Sequence, residues 1–144
     1  MKLYKKVSED IWQGRIDEKE DGNSFRLHQK VLPFNLEEDD HSELNSGAIG
    51  ILGFRSDEGV RRNFGRAGAA RGPEHLRRAS ANLAWHFENK IIYDFGDIIC
   101  DKHDLENAHQ QLSLKVEMIL RAGVNPVLLG GGHEISFGHY LGIR

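Results

Sequence analysis

Three short apolar runs, at residues 48–54, 91–95 and 124–129, alternate with two longer segments whose apolar residues recur at helical spacing. Parallel strands cannot be joined by a tight turn. A strand, helix, strand, helix, strand order therefore implies crossovers, and a series of crossovers gives a parallel sheet covered by helices. The first run, AIGILGF, is apolar throughout rather than alternating, as expected of a strand buried on both faces. Gly72-Pro73 opens a helix, since proline suits the first helical position, and Leu76, Ala79, Leu83, Ala84 and Phe87 then give it one apolar face as far as Asn89. IIYDF at 91–95 is the second strand, and Gly96-Asp97 reads as the turn that ends it. Asp104 is placed to cap the next helix, with Leu105, Ala108, Leu112, Val116, Ile119 and Leu120 as its stripe and Gly123 as its stop. Residues 124–129 form the third strand, with Pro126 early in it, and residues 134–143 begin another helix. The expected fold is a three-layer α/β fold, a mainly parallel sheet with helices on both faces.

Two stretches resist this pattern. Residues 1–46 are polar and poorly periodic, anchored by Trp12, Phe25, Leu32 and Phe34, and read as an irregular arm. Residues 57–72 hold four glycines and four arginines without periodicity and read as a loop. The acidic run at 37–40 reads as solvated surface. One cysteine excludes an internal disulfide and any zinc site built from cysteine pairs, so a metal would have to be held by His, Asp or Glu. A net charge of -3 gives no field to attract nucleic acid or anionic lipid, and no apolar run approaches the roughly 20 residues of a membrane span. Small molecules are the expected partners, without nucleic acid or membrane, and a homo-oligomer is left open. No secretory pattern follows the first residues, so a cytoplasmic location is expected.

In open parallel sheets ligands gather at the carboxyl ends of the strands, where helix N-termini direct partial positive charge. Three loops qualify: 57–72, 96–103 and 130–134. The last, Gly130-Gly131-Gly132-His133-Glu134, ends a buried strand in glycines and presents two metal-competent side chains. His133 reads equally as a metal ligand or as a histidine satisfied by the helix start, with an anion loop a weaker third reading because the lysine of a phosphate loop is absent. Glu134 could orient a metal ligand or simply favour the helix dipole, and Asp97 could stand behind a metal or serve as a turn residue. Arg61, Arg62 and Arg66 offer planar guanidinium groups for carboxylates, or surface charge. His139 lies six residues past His133, off its helical face, and reads as structural or substrate-facing.

The stretch Gly130-Gly131-Gly132-His133-Glu134 followed by Ile135-Ser136-Phe137-Gly138 resembles the first metal-binding motif of the ureohydrolases, the family of arginases, agmatinases and formimidoylglutamases. Asp57-Glu58-Gly59-Val60-Arg61-Arg62-Asn63 with Gly65-Arg66-Ala67-Gly68-Ala69 and Gly72-Pro73 resembles the loop after that family's first strand, and Asp94-Phe95-Gly96-Asp97 is a weaker third match. Arginases and agmatinases usually read Gly-Gly-Asp-His-Ser at the first motif, and Gly132 with Glu134 departs from this toward the formimidoylglutamase branch. The resemblance covers residues 47–143 and implies an arginase-like domain, residues 47–144 being its N-terminal portion, incomplete on the C-terminal side. It implies a two-manganese centre with His133 as one ligand, an activated water, and hydrolysis of N-formimidoyl-L-glutamate to L-glutamate and formamide in histidine degradation. Arg61, Arg62 and Arg66 would then read the substrate carboxylates, with Glu134 and Asp97 behind the metal ligands. The family's Asp-x-His-x-Asp and Asp-x-Asp segments do not occur here, so the chain alone is expected to be an inactive portion of the enzyme. Arginase-type or agmatinase-type activity, and a non-catalytic scaffold acting by association, are the alternatives.

Overall fold

A computed structural model of the chain describes residues 3–17 and 24–144. Its centre is a sheet in which β3 (Ile49–Arg55), β4 (Ile92–Ile99) and β5 (Asn125–Leu129) are mutually parallel, with β3 in the middle. Both free positions along the far edge of β4 are taken by the N-terminal arm: β1 (Tyr4–Lys5) pairs antiparallel with Ile98 and Asp97, and β2 (Val31–Pro33) pairs parallel with residues 92–94. The arm is therefore part of the sheet. Its Tyr4, Phe34 and Leu36 sit in the main core, while Leu32, expected as an anchor, is half exposed.

Helices cover both faces, as the alternating pattern requires. On one side α3 (Leu105–Arg121) lays Leu105, Ala108, Leu112, Val116 and Ile119 against Leu52, Phe54, Phe95 and Ile98. Asp104 caps it by accepting from the Asn107 amide at 3.1 Å, and Gly123, at φ 75°, closes it in the left-handed conformation. Leu120 lies on the exposed side of this stripe. A final helix, α4 (Ile135–Ile143), packs along α3.

The opposite face is covered by the arm and by α2 (Gly72–Ser80), with Val31, Trp85 and Ile92 as a second, smaller core. Two expectations fail on this face. The helix begun by Gly72-Pro73 stops at Ser80 instead of running to Asn89, because the next backbone groups are taken by the arm: the amides of Leu27 and His28 donate to the carbonyls of Leu83 and Ala81, and the amide of Trp85 donates to Phe25. Leu76, Leu83 and Phe87, the supposed apolar face, are each at least half exposed. The buried positions of α2 are Pro73 and Arg77.

The second failure is at Gly96-Asp97, which is a bulge inside β4, not a turn. A step of two residues along β3, from Ile51 to Gly53, is matched by a step of three along β4, from Asp94 to Asp97, and Gly96 takes up the extra length at φ 80°. Without a bulge, residues three apart would face opposite sides of the sheet. With it, Asp94 and Asp97 both face α2 and converge on Arg77. Arg77 donates Nε and Nη2 to the two oxygens of Asp94 at 2.7 and 2.9 Å, Nη1 to Asp97 at 2.7 Å, and Nη2 also to the Gly96 carbonyl at 2.9 Å. Trp12 of the arm adds its indole N–H to Asp94 at 2.7 Å. Arg77 is 1% exposed; burial pulls its pKa down, but Asp94 and Asp97 outweigh that and leave it raised. Among the described residues no helix is long and apolar enough to cross a membrane.

Candidate functional site

The carboxyl ends of β3, β4 and β5 point the same way, so residues 56–72, 100–104 and 130–134 emerge together at one end of the sheet. The β5 loop continues the strand's pairing before it turns. The Gly131 amide donates to the Phe54 carbonyl at 2.9 Å and the Gly132 amide to the Ser56 carbonyl at 2.8 Å, so the glycines lie flat against the chain leaving β3. A side chain at Gly131 would overlap the Ser56 carbonyl. The turn that follows sends His133 out at the mouth of the sheet, immediately before α4.

His133 lines a cleft of about 280 Å³ with Gly59, Val60, Asn63, Gly65 and Glu134. Its ring is exposed, and among the described residues it makes no hydrogen bond. Glu134 lines the same cleft, and its carboxylate is held by the β3 loop. Its Oε1 accepts from the Ser56 hydroxyl at 3.0 Å and from the Gly59 amide at 3.1 Å, which ties the β5 loop to the β3 loop. Among the described residues no group of three or more His, Cys, Asp or Glu side chains is placed to hold a metal ion. The donors present amount to one free imidazole, so these residues do not by themselves enclose a divalent cation.

The segment expected as a loop contains α1 (Glu58–Arg62), and Glu58 organises it. Its carboxylate, 3% exposed, takes a bidentate pair from Arg61 at 2.7 and 2.6 Å, Nε of Arg62 at 2.9 Å and Nδ1 of His103 at 2.7 Å. The Arg61 guanidinium, followed by Arg62 and His103, holds the Glu58 carboxyl down at about 2. Arg62 also grips Glu106 at 2.5 and 3.0 Å and the His103 carbonyl at 3.1 Å, which lowers the Glu106 carboxyl to about 2. Arg61 and Arg62 are thus committed to internal carboxylates. Arg66 is exposed and makes no such pair among the described residues. Asp97 faces Arg77 on the α2 side and lines a different cavity, of about 190 Å³, with Lys5, Lys6, Arg55 and Arg78. It is not brought to His133. His139 is half buried on α4.

Ser56, Glu58 and His103 were not singled out from the sequence. Glu58 had a local signal, since Arg61 and Arg62 stand three and four residues beyond it, the spacing of helical ion pairs. Ser56 and His103 had none, because their partners come from other loops.

The sequence profile described as the Arginase family matches residues 47–144. Formimidoylglutamase of Geobacillus sp. (strain WCH70) is 43% identical over 99% of this chain and 43% of its own length, and that of Klebsiella pneumoniae (strain 342) is 46% identical over 99% of this chain and 44% of its own. The chain thus spans less than half the length of these relatives. Among solved structures, Trypanosoma cruzi formiminoglutamase with Mn2+ superposes with a TM-score of 0.57 at 38% identity, covering 62% of this chain and 32% of that one. A variant of the same enzyme with Mn2+ gives 0.59 at 36% identity, covering 68% of this chain and 35% of that one. With the parallel sheet, the strand-end histidine and a profile match over two-thirds of its length, the chain belongs to the arginase family.

Proposed function

We propose that these residues are one portion of a manganese-dependent hydrolase of linear amidines, of formimidoylglutamase type, in which His133 supplies one metal ligand. The observation that carries this reading is the placement of His133 in a cleft at the carboxyl end of β5, its ring making no hydrogen bond among the described residues. Support for the substrate class comes from the formimidoylglutamases that match almost the whole chain. Bound metal would supply an activated water for attack on the amidine carbon. On this reading the remaining ligands come from beyond the described residues, in keeping with the greater length of the relatives. On this reading the chain presents the imidazole, shapes one wall of the cleft with Gly59, Val60 and Asn63, and of Arg61, Arg62 and Arg66 leaves Arg66 free to meet a substrate carboxylate. Histidine degradation in the cytoplasm is the setting the reading implies.

The test is a substrate panel on a protein that carries this chain together with the rest of the relatives' length. With Mn2+ present, N-formimidoyl-L-glutamate should be hydrolysed far faster than arginine or agmatine. Preference for arginine or agmatine would move the protein to another branch, and Mn2+-independent turnover would remove the metal role of His133.

A further inference from the structure

Gly132 and Glu134 are usually thought of separately, one as a turn residue and the other as a helix-start carboxylate. Here they share one volume. A side chain begun at Gly132 would overlap the Glu134 carboxylate at Oε2, and one begun at Gly59 would come within 2.9 Å of the same carboxylate. The φ of Gly132 is not in the left-handed region, so what the position requires is space. Two glycines on two different loops thus make a slot, and Glu134 fills it. In the slot its Oε1 receives the Ser56 hydroxyl and the Gly59 amide, both fixed from behind: Ser56 is 1% exposed, and its hydroxyl also accepts from the Glu58 amide at 3.2 Å.

We propose that Glu134 is the positioning residue of His133, its carboxylate locking the 131–134 turn to Ser56 and to the start of α1 so that the imidazole enters the cleft in one direction. This rests on His133 being a metal ligand, but the lock itself does not. Backbone bonds from Gly131 and Gly132 already fix the strand side of the turn. On the helix side, among the described residues, the Glu134 carboxylate makes the side-chain hydrogen bonds that join 130–134 to the β3 loop, so its loss loosens the turn around His133. The Glu134 carboxylate, as bound to Ser56 and Gly59, lies where a side chain at 132 would start.

The test uses a protein that carries this chain with the rest of the relatives' length, with Mn2+ alone as the probe. Paramagnetic broadening of the His133 ring protons reads presentation of the ligand, and 15N order parameters at 131–134 read the lock. Glu134→Ala should leave the melting curve close to wild type, drop the order parameters of the turn below about 0.6, and weaken the Mn2+ response at His133 about tenfold, the loss expected for two charge-assisted hydrogen bonds of which part is regained from water. Glu134→Gln keeps an oxygen acceptor and should hold both readouts near wild type. Gly132→Ala should destabilise the wild type but be tolerated in the Glu134→Ala background. An ordered turn and an unchanged Mn2+ response in Glu134→Ala would overturn the proposal, as would Glu134→Gln behaving like Glu134→Ala. If Mn2+ does not select His133 in the wild type while Glu134→Ala still frees the turn, the ligand assignment falls and the lock stands.

Discussion

Replacing Arg77 by methionine, a linear side chain of similar length, tests how α2 is held to the sheet. The change removes four hydrogen bonds and leaves Asp94 and Asp97 on a buried face. Summing those bonds at about 1.5–3 kcal/mol each would overshoot, because they share donors and acceptors and because water re-enters where it can. Asp97, whose side chain is 12% exposed, can draw on solvent and on Arg55 at 4.0 Å. Asp94, fully buried, keeps only the Trp12 and Gly96 N–H groups. The penalty is therefore that of one buried carboxylate robbed of its cation, about 3–5 kcal/mol. Against a typical domain stability of about 5–15 kcal/mol, that leaves the variant partly unfolded at room temperature if the parent lies at the low end. Urea unfolding at pH 7, followed by Trp fluorescence with m-values compared, gives the number. Arg77→Met with Asp94→Leu should recover most of the loss, since an apolar pair replaces an ion pair at little net cost. A single variant less than about 1 kcal/mol below wild type would refute the reasoning, because the buried network would then be dispensable.

Other consequences are simpler to measure. Glu58 has its carboxyl lowered from 4.5 to about 2, so it binds protons less readily folded than unfolded; its stabilisation is complete above pH 4.5 and is lost as pH falls toward 2. Glu58→Gln should flatten that part of the stability profile, as read by thermal melts across pH 2–5, and an unaltered acid limb would contradict the assignment. Asp104→Ala removes the cap of α3 and should destabilise the chain by about 1 kcal/mol. Arg66→Ala, in a protein extended to the relatives' length, should raise KM for N-formimidoyl-L-glutamate with little change in stability; an unchanged KM would return Arg66 to the surface.

What could be read in the sequence was whatever depends on periodicity along one segment. β3, β5 and α3 fall within a residue or two of expectation because an unbroken apolar run or a 3.6-residue stripe is a local property, and the Asp104 and Gly123 signals bracket α3 cleanly. The failures are all non-local. Nothing in residues 81–85 says that their backbone will bond to residues 25–28, so the helical pattern was followed past Ser80. Gly-Asp is an ordinary turn signal, and only the register against β3 turns it into a bulge with Asp97 facing inward. A five-residue helix with a glycine inside it, such as α1, carries too few residues to show a stripe, though Glu58 with Arg61 and Arg62 marked it. At the site, a glycine triplet after a strand was enough to bring His133 to the mouth of the sheet. The destination of the Glu134 carboxylate was hidden, because its slot is built by Ser56 and Gly59 from a loop 75 residues or more away.

The metal role of His133 is tested most directly by His133→Ala in a protein that carries this chain with the rest of the relatives' length. Manganese content, melting temperature and hydrolysis of N-formimidoyl-L-glutamate are measured on the same preparation. A ligand exposed in the cleft predicts that Mn2+ content falls and most hydrolysis is lost while the melting temperature of the metal-free protein stays close to wild type, since among the described residues the ring makes no hydrogen bond. Full manganese occupancy with near-normal turnover would contradict it, as would a melting temperature that falls in step with activity.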